Sequence, residues 1–348
     1  MEITITKRTQ LKPKPDENNL VFGTEFTDHM FIMDYTEGKG WHDAKIVPYG
    51  PIELSPAAMV LHYAQEVFEG MKAYKTPEGD IQFFRPMENF ARMNRSNARM
   101  CIPQIDEEFV FDALKQLVAL DQDWVPHAPG TSLYIRPFVF ATDPFIGVRT
   151  SLHYKFIIIL SPVGAYYATG LQPARMHVED IYSRTVVGGT GEAKCGGNYA
   201  GGLAAQEKAH DEGFEQILWL DGAERKYIEE VGTSNIFFKV DGKFITPELH
   251  GTILPGITRK SVIELLRSWG EEVIERRITI DEFVDMYHKG QIEEVFGTGT
   301  AAVVSPIGGL DMSFNNGEIG EYTQKIYDTL FGMQTGTVED DLGWTVKL

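Results

Sequence analysis

A chain of 348 residues with 43% hydrophobic side chains is more than one core usually serves, so two domains are expected. Its 32 basic and 50 acidic side chains leave a net charge of −18 with no basic block, which argues against nucleic acid or an anionic membrane as partner. Two cysteines, Cys101 and Cys195, suggest neither a disulfide framework nor a metal site, and suit a reducing, cytoplasmic setting.

Residues 1–20 are polar, with Pro13 and Pro15, and read as an arm. Strands are expected over 21–49, broken by Gly38-Lys39-Gly40. Apolar residues at helical spacing (Ala58, Leu61, Ala64, Val67, Phe68) predict a helix over 57–69. Strands over 71–74 and 81–84 flank the turn Pro77-Glu78-Gly79-Asp80. Helices over 88–99 and 107–120 follow, the second with Val110, Ala113, Leu114, Leu117 and Val118 on one face. Strands come next, over 132–141 and 154–160. The run Phe156 to Leu160 is far too short to span a bilayer.

Pro162, Gly164, Gly170 and Pro173 mark 161–174 as the linker between a smaller N-terminal α/β domain, 1–160, and a larger C-terminal one, 175–348. Beyond it, a helix ends at Gly213, a strand covers 216–220, and strands 236–240 and 244–246 turn at Asp241-Gly242. A helix over 258–269 stops at Gly270, a strand covers 292–297, and a last helix covers 322–331. The fold class is α+β, with mixed sheet in both domains.

Five segments carry chemical meaning. Lys194 sits among Gly188, Gly189, Gly191, Gly196 and Gly197, just before a helix. An amine with little bulk around it, partly desolvated, can lose its proton and attack a carbonyl, although a surface lysine on a loop reads the same way. In Leu254-Pro255-Gly256-Ile257-Thr258-Arg259, backbone N–H groups at a helix start suit a phosphate, or simply mark a capped helix. Gly297-Thr298-Gly299-Thr300-Ala301 offers an anion-binding turn, or a structural one. Glu230, in Glu229-Glu230-Val231-Gly232-Thr233, is a candidate acid for a pyridinium nitrogen, or one of two solvated glutamates. Arg92, on a helix with Arg95 and Arg99, suits a phosphate or pairs with the excess acids. Neither the P-loop nor the dinucleotide fingerprint is present.

Taken in order and spacing, these motifs and Phe68-Glu69-Gly70-Met71-Lys72 resemble the branched-chain amino-acid aminotransferases. That family consists of fold-type IV enzymes that use pyridoxal 5′-phosphate. The resemblance runs from about Phe22 to the C-terminus. It implies two domains with the cofactor at their interface, and amino transfer between leucine, isoleucine or valine and 2-oxoglutarate by a ping-pong route. Lys194 would hold the cofactor covalently and shuttle the substrate proton. Glu230 would meet the ring nitrogen and Tyr199 the phenolic oxygen. Arg92, Ile257, Thr258 and Thr300 would bind the phosphate with support from Arg184, and Thr233 would line the cofactor site. Phe22, Phe68, Tyr134, Arg136, Thr300 and Ala301 would surround the substrate, with Tyr63 supplied by the second subunit of a homodimer. Ala302-Val303-Val304-Ser305 replaces a Cys-x-x-Cys pair found in some relatives, so no thiol switch is expected there. Other fold-type IV activities, a D-amino-acid aminotransferase or an aminodeoxychorismate lyase, are the alternatives among enzymes. A non-catalytic protein of the same fold is the alternative outside them.

Overall fold

The computed structural model describes residues 1–166, 171–309 and 317–348. It divides into two compact units. One is Met1–Tyr166 with Ala193–Gly196 and Gly332–Leu348, and the other is Tyr167–Glu192 with Gly197–Phe331. The division falls within the expected linker, although strand structure runs on to Val163. Residues 167–170 of that linker lie outside the described residues. The lysine segment and the C-terminal tail pack with the first unit, which departs from the expected partition and makes the first unit the larger.

The first unit is built on a nine-stranded sheet. Its strands are β1 (Thr4–Ile5), β2 (His29–Thr36), β3 (Gly40–Pro48), β4 (Glu66–Phe68), β5 (Met71–Lys75), β6 (Ile81–Phe84), β7 (Ser132–Ala141) and β8 (His153–Val163), with a C-terminal strand, Thr345–Lys347. The order is β1-β3-β2-β8-β7-β5-β6 and then the C-terminal strand, with β4 also paired to β7. The arm is therefore partly ordered, Thr4 lying parallel to Lys45. Helices α1 (Val60–Tyr63), α2 (Pro86–Arg99) and α3 (Glu107–Leu120) complete the unit. Phe90 and Met93 of α2 and Val110, Leu114 and Leu117 of α3 pack on Phe31, Ile46, Ile135 and Phe156 of the sheet. Met30, Ile32, Phe140 and Ile157 form a second cluster. Strands β2 and β8 thus contribute to both clusters, which is why they read as continuous apolar runs.

The helix expected over 57–69 is not there. One helical turn, α1, ends where Ala64 adopts a left-handed φ of 50°. Glu66, Val67 and Phe68 then pair antiparallel with Phe140, Val139 and Phe138. The apolar residues fitted a helical period, but Val67 and Phe68 are also strand formers, and pairing with β7 decides the matter.

In the second unit the strands are β9 (Ala174–Glu179), β10 (Gln216–Leu220), β11 (Ile228–Val231), β12 (Ser234–Val240), β13 (Lys243–Thr246), β14 (Val273–Glu275), β15 (Ile292–Gly299) and β16 (Val303–Gly309). Their order is β11-β10-β9-β16-β15-β12-β13-β14, and β12 pairs back to β11. Six strands therefore close a ring, with β13 and β14 extending from β12. Helices α4 (Gly196–Ala200), α5 (Leu203–Asp211), α6 (Ile257–Ser268), α7 (Ile280–His288) and α8 (Glu321–Thr335) connect or cover these strands. The β12–β13 turn has positive φ at Asp241 (47°) and Gly242 (75°), as its sequence predicts. Buried Glu294 caps α8, accepting from the Tyr322 and Thr323 N–H groups at 3.0 and 2.8 Å.

Candidate active site

Three backbone contacts clamp Lys194 in the first unit. Its N–H donates to Ser96 Oγ at 2.9 Å, its carbonyl accepts from the Phe68 N–H at 3.0 Å, and the next N–H but one, of Gly196, donates to Glu66. A Cβ on Gly196 would lie 2.4 Å from Glu66 Oε1, so this position admits no side chain while the clamp is made. The ammonium lies 4.7 Å from the Phe68 ring centroid, and the Arg136 guanidinium 4.8 Å from the same ring. Arg136 donates to the Tyr134 hydroxyl at 2.9 Å, and Phe22 meets Tyr134 edge-on at 4.9 Å. Phe22, Phe68 and, from β7, Tyr134 and Arg136 are thus gathered near the lysine from three distant parts of the chain. Burial, and then the Arg92 charge, pull the Lys194 ammonium down to about 8, while Glu69 and Tyr134 push it up.

Arg92 pairs with a carboxylate along one edge of its guanidinium. Its Nε and Nη2 donate to Glu69 Oε1 and Oε2, both at 2.8 Å. Glu69 also accepts from Asn89 Nδ2 at 2.8 Å and has no solvent exposure. Burial raises the Glu69 carboxyl, but the charge and hydrogen bonds of Arg92 outweigh it and hold the group below its ordinary range. Glu69, Glu66 and Ser96 were not picked out from sequence. Glu69 stood in a quoted motif, but nothing in its spacing pointed to Arg92.

In the second unit Glu230 is buried on β11, opposite Trp219 of β10 and Asn235 of β12. Its Oε1 accepts from Asn235 Nδ2 at 3.0 Å and the Leu254 N–H at 3.2 Å, and its Oε2 meets Arg184 Nε at 2.6 Å. Arg184 was expected to support a phosphate. Here it serves the Glu230 carboxylate and the Thr252 carbonyl (2.8 Å), because a buried carboxylate demands a charged partner. A cleft in this unit is lined by Arg184, Tyr199, Glu230, Thr233 and Leu254. Glu229, its neighbour, is buried elsewhere, bonded to Thr252 Oγ1, and burial raises its carboxyl.

Helix α6 starts at Ile257 with Gly256 as its N-cap, and no side chain caps it. Its first N–H groups therefore lack the side-chain acceptor that α3 and α7 receive from Asp106 and Thr279. Thr300 and Ala301 lie in the turn between β15 and β16, half-buried, and Thr233 is exposed in the turn between β11 and β12. Tyr63 does not join the lysine cluster. It is 39% exposed on α1, and its hydroxyl donates to the Ile146 carbonyl.

The family model for amino-transferase class IV matches residues 66–309. The chain belongs to the class IV aminotransferases. It is 57% identical over 353 residues to the branched-chain-amino-acid aminotransferase 2 of Bacillus subtilis, covering 100% of this chain and 96% of that one. It is 56% identical over 350 residues to the probable branched-chain-amino-acid aminotransferase of Staphylococcus aureus, covering 99% of this chain and 98% of that one. Among solved structures, the Escherichia coli branched-chain amino acid aminotransferase superposes with a TM-score of 0.76 at 27% identity, covering 90% of this chain and 98% of that one.

Class IV aminotransferases depend on pyridoxal phosphate, and the residues present fit that group. An aldehyde needs an amine that loses its proton readily, as Lys194 does. A pyridinium needs a fixed carboxylate, as Glu230 is. A phosphate suits the helix start that Gly256 leaves without a side-chain cap.

Proposed function

We propose that this transaminase moves the amino group between leucine, isoleucine or valine and 2-oxoglutarate in two half-reactions. The observation that carries the reading is the lysine amine set among Phe68, Tyr134 and Phe22, an apolar wall beside a reactive nitrogen. Bound pyridoxal phosphate supplies an electron sink for the pair released at the substrate α carbon. Lys194 Nζ would hold the cofactor aldehyde at rest and, once the substrate amine has displaced it there, would take the α proton and return it. Glu230 would accept a hydrogen bond from the ring nitrogen, and Arg184, Asn235 and the Leu254 N–H keep that carboxylate from turning away. Tyr199 serves the phenolic oxygen and Thr233 the cofactor site. The Ile257 and Thr258 N–H groups, Thr300 and Arg92 bind the phosphate. Thr300 and Ala301 receive the substrate carboxylate, and Arg136 offers a cation to the distal carboxylate of 2-oxoglutarate.

We also propose a cytoplasmic homodimer. No helix among the described residues is long and apolar enough to cross a membrane. Leu61, Phe145, Ile146, Val148 and Leu152 are exposed, and the Tyr63 hydroxyl bonds the Ile146 carbonyl; a second copy covering these apolar side chains would bring Tyr63 to the partner's substrate. The test of the reaction is optical. The absorption band of the bound cofactor should disappear with leucine and return with 2-oxoglutarate. A band that ignores leucine, isoleucine and valine but responds to a D-amino acid would overturn the reading.

A further inference from the structure

The stretch from Glu66 to Glu69 meets the lysine segment repeatedly. Glu66 accepts from Gly196, the Phe68 N–H donates to the Lys194 carbonyl, and the Phe68 ring lies under the ammonium. Glu69, the last residue of the stretch, takes no part in the proposed reaction. We propose that Glu69 is a positioning residue: it holds the Arg92 guanidinium in place and cancels its charge at the Lys194 amine. The proposal rests on the reading of Lys194 as the cofactor lysine.

The geometry leaves Glu69 no freedom. Four donors fix it: Arg92 Nε and Nη2 (2.8 Å each), Asn89 Nδ2 (2.8 Å) and the Gly70 N–H (3.2 Å). Asn89 is itself held by the Gly70 carbonyl at 3.2 Å. Such a buried ion pair is rarely worth more to the fold than a well-packed apolar pair, so stability alone is a weak reason for it. Its place beside a reacting amine is a better one.

The groups facing Lys194 are Arg92 from α2, Tyr134 and Arg136 from β7, Glu69 after β4, and Glu66 through Gly196. Burial and the two arginines disfavour a charged amine, and Glu69 opposes them. The balance matters because one nitrogen must attack as a free amine and later hold a proton for the substrate. Both are efficient only when its affinity for protons lies near the working pH. In the cofactor-free chain with Glu69 neutral, Tyr134 alone would oppose the two arginines at the amine, and the amine would lose its proton at a lower pH.

The test reads proton affinity directly. The full-length chain, freed of cofactor, is pulsed with acetic anhydride across a pH series, and acetylation of Lys194 is followed by peptide mass spectrometry. The wild-type midpoint should lie at about 8. In Glu69→Gln it should fall by about one pH unit or more, and in Glu69→Gln/Arg92→Gln it should return towards the wild-type value. A purely structural role would lower stability and leave the midpoint where it was, so an unmoved midpoint overturns the proposal. If the single variant does not fold, Arg92→Gln and the double variant replace the comparison. There, loss of Glu69 must lower the midpoint, and equal midpoints overturn the proposal. Borohydride reduction of the wild-type holoenzyme separates the two failures: a cofactor label away from Lys194 sinks the reading of the lysine, whatever the midpoints do.

Discussion

Removing Arg184 should expose how the ring-nitrogen carboxylate is held. Its side chain is 8% exposed and that of Glu230 3%, with Nε and Oε2 2.6 Å apart. In Arg184→Met the carboxylate stays buried and keeps two neutral donors, Asn235 Nδ2 and the Leu254 N–H. Breaking a buried pair on one side costs about 3–5 kcal/mol, and the surviving donors favour the lower end, about 3 kcal/mol. Glu230→Gln alone strands the guanidinium, which still has the Thr252 carbonyl, and should cost about 2 kcal/mol. The double variant leaves no unpaired charge, so the costs should fall short of additivity by at least about 1.5 kcal/mol. Urea denaturation of all four proteins without cofactor measures this cycle. If Arg184→Met costs under about 1 kcal/mol, or the two costs simply add, the pair does not hold Glu230 as described.

Gly256→Ala puts a Cβ 2.0 Å from Asn235 Oδ1 at a φ of −66° that any residue adopts. It should cost about 1–3 kcal/mol by overpacking and weaken cofactor retention, read by dialysis, because Asn235 also holds Glu230. Burial brings Lys72, like Lys194, down to about 8. Between about pH 8 and about 10.4 the unfolded chain binds the extra protons, so stability rises with pH through that window, by up to about 3 kcal/mol for each lysine. Lys72→Met should remove about half of that rise in urea titrations at either end of the window, and an unchanged slope would contradict it. Finally, Lys194→Ala and Tyr63→Asp should each be nearly inactive as homodimers, and activity should reappear on mixing them after subunit exchange. Exchange without recovery would place Tyr63 within its own chain's site.

Much of the fold was legible because its periodicities are strong. Val110, Leu114 and Leu117 marked α3, the β10 strand Gln216–Leu220 was read to the residue, and Asp241-Gly242 marked the β12–β13 turn. Where a run fits two periods, local reading fails: 57–69 passed for a helix until pairing with β7 made its end a strand. The short strand Ile228–Val231 escaped notice because Glu229 and Glu230 look solvated, yet closure of the strand ring buries both. Lys194 stands out by its glycine-rich setting, Phe68, Tyr134 and Arg136 by the family resemblance, and folding gathers them. The partners that set their charges were not legible. Glu69 with Arg92 and Arg184 with Glu230 pair across 23 and 46 positions of sequence, and only the packing shows which acid meets which base.

The chemistry proposed for this transaminase depends on Lys194 holding the cofactor. Borohydride reduction of the holoenzyme followed by peptide mapping tests it most directly. A pyridoxyl group should be found on Lys194, and no such label once leucine has been added in excess before reduction. A label on Lys72 or Lys208 would contradict that role.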